Sequence, residues 1–314
     1  MAKNKLVIGS RGSELALWQA NFIKKELERK NRNLEVEIKI ISTKGDKILD
    51  VALSKIGDKG LFTKELENEL LKGNIDIAVH SLKDLQTEIP KGLKLAAVTK
   101  RHPVQDVLIS GKKGTNLKNL PLNSVVATGS LRRRAQLLHI RPDLKIVELR
   151  GNVPTRIKKF LESDWDAIVL ARAGVERLKL SKYISSIIST KDILPAVGQG
   201  ALGIEIKKGN SLAESVLKSI NDKNTFIEVT AERSLLKKLE GGCQVPIGAF
   251  AKIEKSGLYL DALVGSIDGT VTYRKKIKGT KSDPDKLGKA LAKDLLKAGA
   301  AEILGEIYKN SRAK

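Results

Sequence analysis

The 314-residue sequence predicts two α/β domains followed by a small α+β domain with a three-stranded antiparallel sheet. Three observations carry this. Strand-like and helix-like stretches alternate through the first two thirds of the chain, the pattern of largely parallel sheets fed by crossover helices. The alternation starts afresh after "RHPVQD" (101–106). The last third changes to three strand-like stretches in succession, divided by turn residues.

In the first run, "KLVIG" (5–9) is a strand, and Ser13 is placed to cap a helix starting at Glu14. Leu15, Trp18 and Phe22 share one face of that helix. "EVEIKII" (35–41) alternates as a strand does. "LFTKELENELL" (61–71) starts a second helix, with Thr63 as its cap and Leu66 and Leu70 one turn apart. "DIAVHS" (76–81) and "LKLAAVT" (93–99) are further strands.

In the second run, "SVVATGS" (124–130) is a strand and turn leading into the helix "LRRRAQLLHI" (131–140). "KIVELRGN" (145–152) leads into "PTRIKKFLE" (154–162), where Pro154 suits a first helical position. "DAIVLARAG" (166–174) is a strand running into a helical turn. In the last third, "TFIEVTAERSLLKKLE" (225–240) is a helix ended by Gly241 and Gly242. "AFAKIE", "LYLDALVGS" and "TVTYRKKIK" follow, with turns at Ser256-Gly257 and Asp268-Gly269, and a helix begins at Pro284.

Lys and Arg number 58 against 36 Asp and Glu, a net charge of +22 that favours polyanionic partners. Nucleic acid is ranked below a polycarboxylate small molecule, because the basic residues form no single run and aromatics for stacking are only 4% of the chain. A two-lobed binding protein for small anions is the other reading. A single cysteine, Cys243, rules out a disulfide within the chain and fits a reducing, cytoplasmic setting. No run approaches the roughly 18 apolar residues of a membrane span, and no Cys/His cluster suggests a metal.

Ligands of open α/β sheets bind beyond the carboxyl ends of the strands, and this chain puts arginines there. Arg11 follows the first strand; Arg132, Arg133 and Arg134 open a helix; Arg150, Arg156, Arg172 and Arg177 follow later strands. Arginine in a helix's first turn opposes the helix dipole, so three in a row call for an anion. Successive helical residues point about 100° apart, which turns one of the three, Arg134, to the surface. Lys83 and Asp84 follow the strand ending at His80. Asp84 is a lone carboxylate among cations, suited to stabilising positive charge on a substrate nitrogen. His80 is readable as a satisfied strand-end histidine. Cys243 lies in a loop after two glycines, where a thiol is accessible to chemistry.

"SRGSELALWQ", "GDKGLFTKELE", "DIAVHSLKDL", "ATGSLRRRAQL", "LRGNVPTR", "LPAVGQGALGIE" and "AERSLLKKLEGGCQVPIGAFA" together resemble the porphobilinogen deaminase (hydroxymethylbilane synthase) family, in order from about Leu6 to Gly269. The resemblance implies head-to-tail condensation of four porphobilinogens into a linear tetrapyrrole with release of four ammonia, in haem and porphyrin biosynthesis. It implies a covalent dipyrromethane cofactor held by a thioether on Cys243, and a catalytic role for Asp84. Lys83, Asp84, Ser130, Arg132, Arg133, Arg150 and Arg156 are implied as cofactor contacts. Arg11, Ser13, Arg150, Arg156, Arg177 and Gln199 are implied as substrate contacts, and Lys59 and Phe62 as parts of a lid. The implied fold has two periplasmic-binding-protein-like domains, 1–100 with about 200–218 and 101–199, and a cofactor-bearing third domain, 219–314. A cytoplasmic monomer is expected. Glu14, Asp58 and Leu85-Gln86 depart from the residues common in the family.

Overall fold

The computed structural model describes residues 4–47, 60–240 and 245–312. In chain order the strands are β1 (Asn4–Ser10), β2 (Leu34–Ile40), β3 (Ile77–Ser81), β4 (Leu93–Val98), β5 (Asp106–Ser110), β6 (Val125–Ala127), β7 (Lys145–Val147), β8 (Ala167–Ala171), β9 (Ile184–Ile187), β10 (Leu202–Lys207), β11 (Ile247–Glu254), β12 (Gly257–Gly265) and β13 (Thr272–Gly279). The helices are α1 (Glu14–Lys30), α2 (Lys44–Lys47), α3 (Lys64–Lys72), α4 (Leu131–Ile140), α5 (Val153–Leu161), α6 (Arg172–Arg177), α7 (Ser211–Leu217), α8 (Lys223–Lys238), α9 (Pro284–Leu295) and α10 (Ala301–Arg312).

Residues 4–47, 60–102 and 200–226 form one compact unit. Its sheet has the order β2-β1-β3-β10-β4. β1 is parallel to β2 and β3, whereas β10 is antiparallel to both β3 and β4. The sheet is therefore mixed, not largely parallel as the alternation suggested. A crossover helix forces parallel pairing only on the strands it joins, and β10 arrives from a remote part of the chain.

The two faces of this sheet differ. One is aliphatic: Leu6, Ile8, Ile77, Val79, Leu202 and Ile204 pack against Ala20, Ile23 and Leu27 of α1. Ser13 caps α1 as expected, its Oγ accepting from Ala16 N at 3.4 Å. The buried stripe of α1 is not Leu15, Trp18 and Phe22 but Ala20, Ile23 and Leu27, offset by five residues, roughly 140° around the helix. Trp18 and Phe22 instead stack on each other, centroids 5.4 Å apart, with Phe22 exposed. On the other face, Leu66 and Leu70 of α3 meet Ala78 and Leu93. Thr63 occupies the N-cap of α3 but makes no capping hydrogen bond. Gly9 lies on this face because a Cβ there would come within 2.3 Å of Ile75 Cδ1. Strand alternation places His80 and Glu205 on the same face as Ala78.

Residues 103–199 and 227–312 form the second unit. Its larger sheet, β7-β6-β8-β5-β9, repeats the plan of the first. β6 is parallel to β7 and β8, and β5 is antiparallel to β8 and β9. Sequence reading did not mark β5 or β9. A separate antiparallel sheet, β11-β12-β13, has its own core with α8 and α9, centred on Leu235, Leu260, Val264 and Leu291. Its hairpins fall at the two expected turns, with Gly257 and Gly269 at φ 147° and 75°. The expected final helix is interrupted: Gly299 takes φ 117°, and a Cβ there would collide with the Tyr273 ring.

Candidate functional site

In the first unit, β3 ends at Ser81 and the chain turns through a 3-10 helix, Leu82–Asp84. Buried Leu82 anchors this turn, so Lys83 and Asp84 stand at the strand's carboxyl end. A pocket is lined by Arg11, Ser13, Gln19, Phe62, His80, Ser81 and Asp84 among others. The fold thus brings Arg11, Ser13, Phe62 and Asp84 to one place. Lys83 is not among the residues lining this pocket. Lys59 and Cys243 lie outside the described residues.

Arg11 is already engaged. Its Nη2 donates to Asp46 Oδ1 at 2.5 Å and its Nε to the same oxygen at 3.1 Å. Its guanidinium carbon lies 4.2 Å from the centroid of the Phe62 ring. Thr43 Oγ1 donates to Asp46 Oδ2 at 2.7 Å. Partial burial works to raise the Asp46 pKa, but the bonds from Arg11 and Thr43 outweigh it and hold the carboxyl below its usual range. Gln19 Nε2 donates to Ser81 Oγ at 2.7 Å and steadies the pocket floor. Sequence reading missed Asp46 and Gln19, since neither stands at a strand end.

Behind the pocket wall, His80 Nε2 lies 3.2 Å from Glu205 Oε2, with side chains 4% and 0% exposed. Glu67 of α3 is buried nearby, and burial together with the charge of Glu205 raises its pKa against the opposing effects of Thr63 and His80. His80 is therefore no isolated satisfied histidine.

The second unit shows what the arginine-rich helix α4 is for. Ser130 caps it, accepting from Arg133 N at 3.4 Å. Arg132 and Arg133 are both buried and both pair with Asp106 at the start of β5. Arg133 grips it twice, Nη2 to Oδ1 at 2.8 Å and Nε to Oδ2 at 3.2 Å, and gives Nη1 to Val169 O at 2.9 Å. Arg132 Nη2 lies 2.9 Å from Asp106 Oδ2, and its Nη1 donates to Leu194 O at 2.7 Å. Gln199 Nε2 adds a bond to Asp106 Oδ1 at 2.9 Å. Burial alone would raise the Asp106 pKa; the two guanidiniums and these bonds hold it well below the carboxylate range. The anion that the sequence demanded at this helix start is thus, in good part, internal.

Three guanidinium nitrogens in this unit are buried with no hydrogen-bond partner: Arg132 Nε, Arg134 Nε and Arg150 Nη1. Arg134 is consequently half-buried rather than turned to the surface. Desolvation lowers the Arg150 pKa, opposed by Glu148, and lowers that of Arg177 to about 10. Arg156 Nε donates to Gly151 O at 2.7 Å, and Arg172 Nε to Glu176 Oε1 at 2.6 Å. Unmet donors on fixed forks suit carboxylate acceptors. Among the described residues, no helix is long and apolar enough to cross a membrane, and no group of three or more His, Cys, Asp or Glu is placed to hold a metal ion.

The family described as "Porphobilinogen deaminase, dipyromethane cofactor binding domain" matches residues 6–215, and "Porphobilinogen deaminase, C-terminal domain" matches residues 226–297. A porphobilinogen deaminase of Chloroherpeton thalassium is 52% identical over 309 residues, covering 97% of this chain and 98% of the relative. One of Carboxydothermus hydrogenoformans is 47% identical over 309 residues, covering 98% and 99%. Among solved structures, the methionine binding protein MetQ aligns with a TM-score of 0.44 at 14% identity, over 71% of this chain and 92% of that one. With both family domains matched in order along the described sheets, this chain belongs to the porphobilinogen deaminase family.

Proposed function

We propose that the chain joins four porphobilinogen molecules head to tail with loss of four ammonia, and that one water then cleaves the bond holding the tetrapyrrole to the protein-bound primer, giving hydroxymethylbilane. The observation that carries the reading is the pocket that places Asp84 with Arg11 at the ends of β3 and β1 in a chain matched by this family over residues 6–215. In each coupling a carbon–nitrogen bond breaks and a carbon–carbon bond forms. The proton lost from the attacking pyrrole α-carbon balances the one gained by the departing amine. Asp84 is the carboxylate for this work: it faces pyrrole N–H groups and stabilises the positive charge that develops there. Arg11 takes a substrate carboxylate after exchanging its bond to Asp46, with Phe62 packing over it and Lys59 in the same lid. Ser13 stands at the same helix start.

Unmet donors on Arg132, Arg134 and Arg150 fit a group rich in carboxylates, which is the chemistry of a dipyrromethane carrying acetate and propionate arms. Bound through Cys243, that group would supply the pyrrole carbon to which the first unit is joined, and each later unit would join the one before it. Lys83, Asp84, Ser130, Arg132, Arg133, Arg150 and Arg156 would hold it, and Arg150, Arg156, Arg177 and Gln199 would meet substrate. A thiol suits the attachment because sulfur is a strong nucleophile toward an electrophilic methylene. The organisation proposed is three domains, 1–100 with about 200–218, 101–199 and 219–314, in a cytoplasmic monomer acting on a small molecule rather than on nucleic acid. Intact-mass measurement tests the reading. Active protein should exceed its sequence mass by two linked porphobilinogen residues, and Cys243→Ser should lack both the adduct and activity. An active but unmodified wild type would overturn it.

A further inference from the structure

One face of the first unit's sheet carries charge where the other is aliphatic. On that face Glu205 of β10 stands opposite Ala78 of β3, and Gly203 stands opposite His80. Glycine at 203 leaves no side chain beside the imidazole; a Cβ there would come within 2.7 Å of Leu82 Cδ1. The Glu205 carboxylate, two residues along, therefore reaches the ring diagonally. Glu67 comes from α3 on the same face. All three side chains are buried, and Glu67 Oε1, His80 Nε2, Glu205 Oε1 and Glu205 Oε2 have no hydrogen bond of regular geometry, although His80 Nε2 and Glu205 Oε2 lie 3.2 Å apart. Buried carboxylate oxygens left this way are costly to fold, and a cost of that kind in a pocket wall points to function.

We propose that His80 is a positioning residue for the Asp84 pocket, its ring set by Glu205 and the charge of the pair balanced by Glu67. The inference rests on the activity proposed above. His80 lines the pocket and is joined directly to Ser81, which Gln19 holds and which leads into the turn carrying Asp84. Two carboxylates beside one imidazole in a water-poor site cannot all carry charge cheaply, so the cluster retains a proton that sets the field at the pocket wall. Glu205 of β10 contacts the ring, Glu67 of α3 interacts with both His80 and Glu205 and also with Glu65, and Asp84 and Arg11 line the same pocket as His80.

Nitrogen NMR of the histidine rings gives a readout that does not depend on turnover. The chain has only three histidines, so His80→Gln assigns the signal. In the wild type Nε2 should carry a proton across pH 6 to 8, because it faces a carboxylate; a bare Nε2 with the proton on Nδ1 alone would overturn the proposal. Glu205→Gln keeps the shape and removes the charge. It should move the His80 Nε2 resonance and reduce kcat about tenfold with KM within twofold. His80→Gln should cost a similar factor, and the double variant should be no worse than either single change, since the pair acts as a unit. A folded Glu205→Gln with unchanged Nε2 resonance and kcat would sink the idea. Should that variant not fold, Glu67→Gln should move the same resonance, and no movement there would count against it equally. If wild-type protein fails to turn over porphobilinogen, the activity reading falls while the ring measurements still decide the pairing.

Discussion

Two buried charge clusters, one in each unit, differ in how fully their polar atoms are met. Asp106 sits under Arg132 and Arg133, and both of its oxygens are bonded, with Gln199 joining them. Glu67, His80 and Glu205 make the opposite case: an excess of acid, one short contact and several carboxylate oxygens without donors. A buried carboxylate with both oxygens met holds a fold in place; carboxylates left partly unmet store a proton or a charge that chemistry can use. Changes at the first should therefore appear in stability, and changes at the second in rate and pH response.

Asp106→Asn should have the largest effect on folding. Removing the charge leaves two guanidiniums uncompensated in the interior, a loss of about 3–5 kcal/mol, read from urea unfolding. The wild type should show the matching pH dependence. A carboxyl whose pKa is depressed by folding contributes stability above its unfolded value, near pH 3.9, and that contribution is lost as pH falls toward the depressed one. If Asp106→Asn unfolds no more easily than wild type, the satisfied network is not structural and the contrast fails.

Asp84→Asn tests the contrast from the pocket side. Preorganised stabilisation of developing charge is typically worth about 3–4 kcal/mol on the barrier, roughly a hundred- to a thousand-fold in turnover. Asp84 stands on an anchored turn at a pocket rather than in a core network, so thermal unfolding should hardly move. Asp84→Glu retains the charge one methylene away and should keep part of the activity. Turnover of a folded Asp84→Asn within a few-fold of wild type would remove its catalytic assignment.

Arg132 and Arg133 sharpen the comparison within a single network. Arg133 spends all three nitrogens on Asp106 and Val169 O, whereas Arg132 keeps its Nε unmet. Arg133→Leu should cost more stability, by about 1–2 kcal/mol, and Arg132→Leu should cost more in cofactor loading, measured by intact mass. Equal losses of both kinds would mean that the free Nε has no ligand.

Much of this was legible in the sequence. Ser13, the turns at Gly257 and Gly269, and the placement of Arg11 and Asp84 at strand ends all follow from local rules: a short polar cap, a positive φ, a strand that stops. What was not legible is non-local. β5 and β10 run against their neighbours because of where the chain comes from, and nothing in "DVLIS" or "LGIEIK" encodes direction. The arginines of α4 were read as asking for a ligand because Asp106, which answers two of them, lies far back in the sequence. Glu205 drew no reading from the sequence, because only the pairing of β10 with β3 brings it to His80. Arg134 was expected at the surface from helical angle alone, but a guanidinium is long enough to bring its Nε under cover.

The smallest effect expected is at Glu67, and its sign separates the two clusters most clearly. Asp106 is held ionised by its partners; Glu67 has its pKa raised, first by burial and then by the charge of Glu205, with Thr63 and His80 opposing. A carboxyl raised in the folded state binds its proton more tightly there than when unfolded. Its contribution to stability is complete below the unfolded value, near pH 4.3, and is lost as pH rises through the folded one. Glu67→Gln keeps the shape of the protonated side chain and cannot ionise. The variant should thus be slightly more stable than wild type at pH 8, by up to about 1 kcal/mol, with the difference closing as pH falls toward 4. Asp106→Asn should show the reverse, a deficit at pH 8 that narrows in acid. Urea unfolding of both variants at three or four pH values makes the comparison directly. A Glu67→Gln protein that loses stability at pH 8 would show that the wild-type carboxylate is charged and well paired there, and the two clusters would then be of one kind.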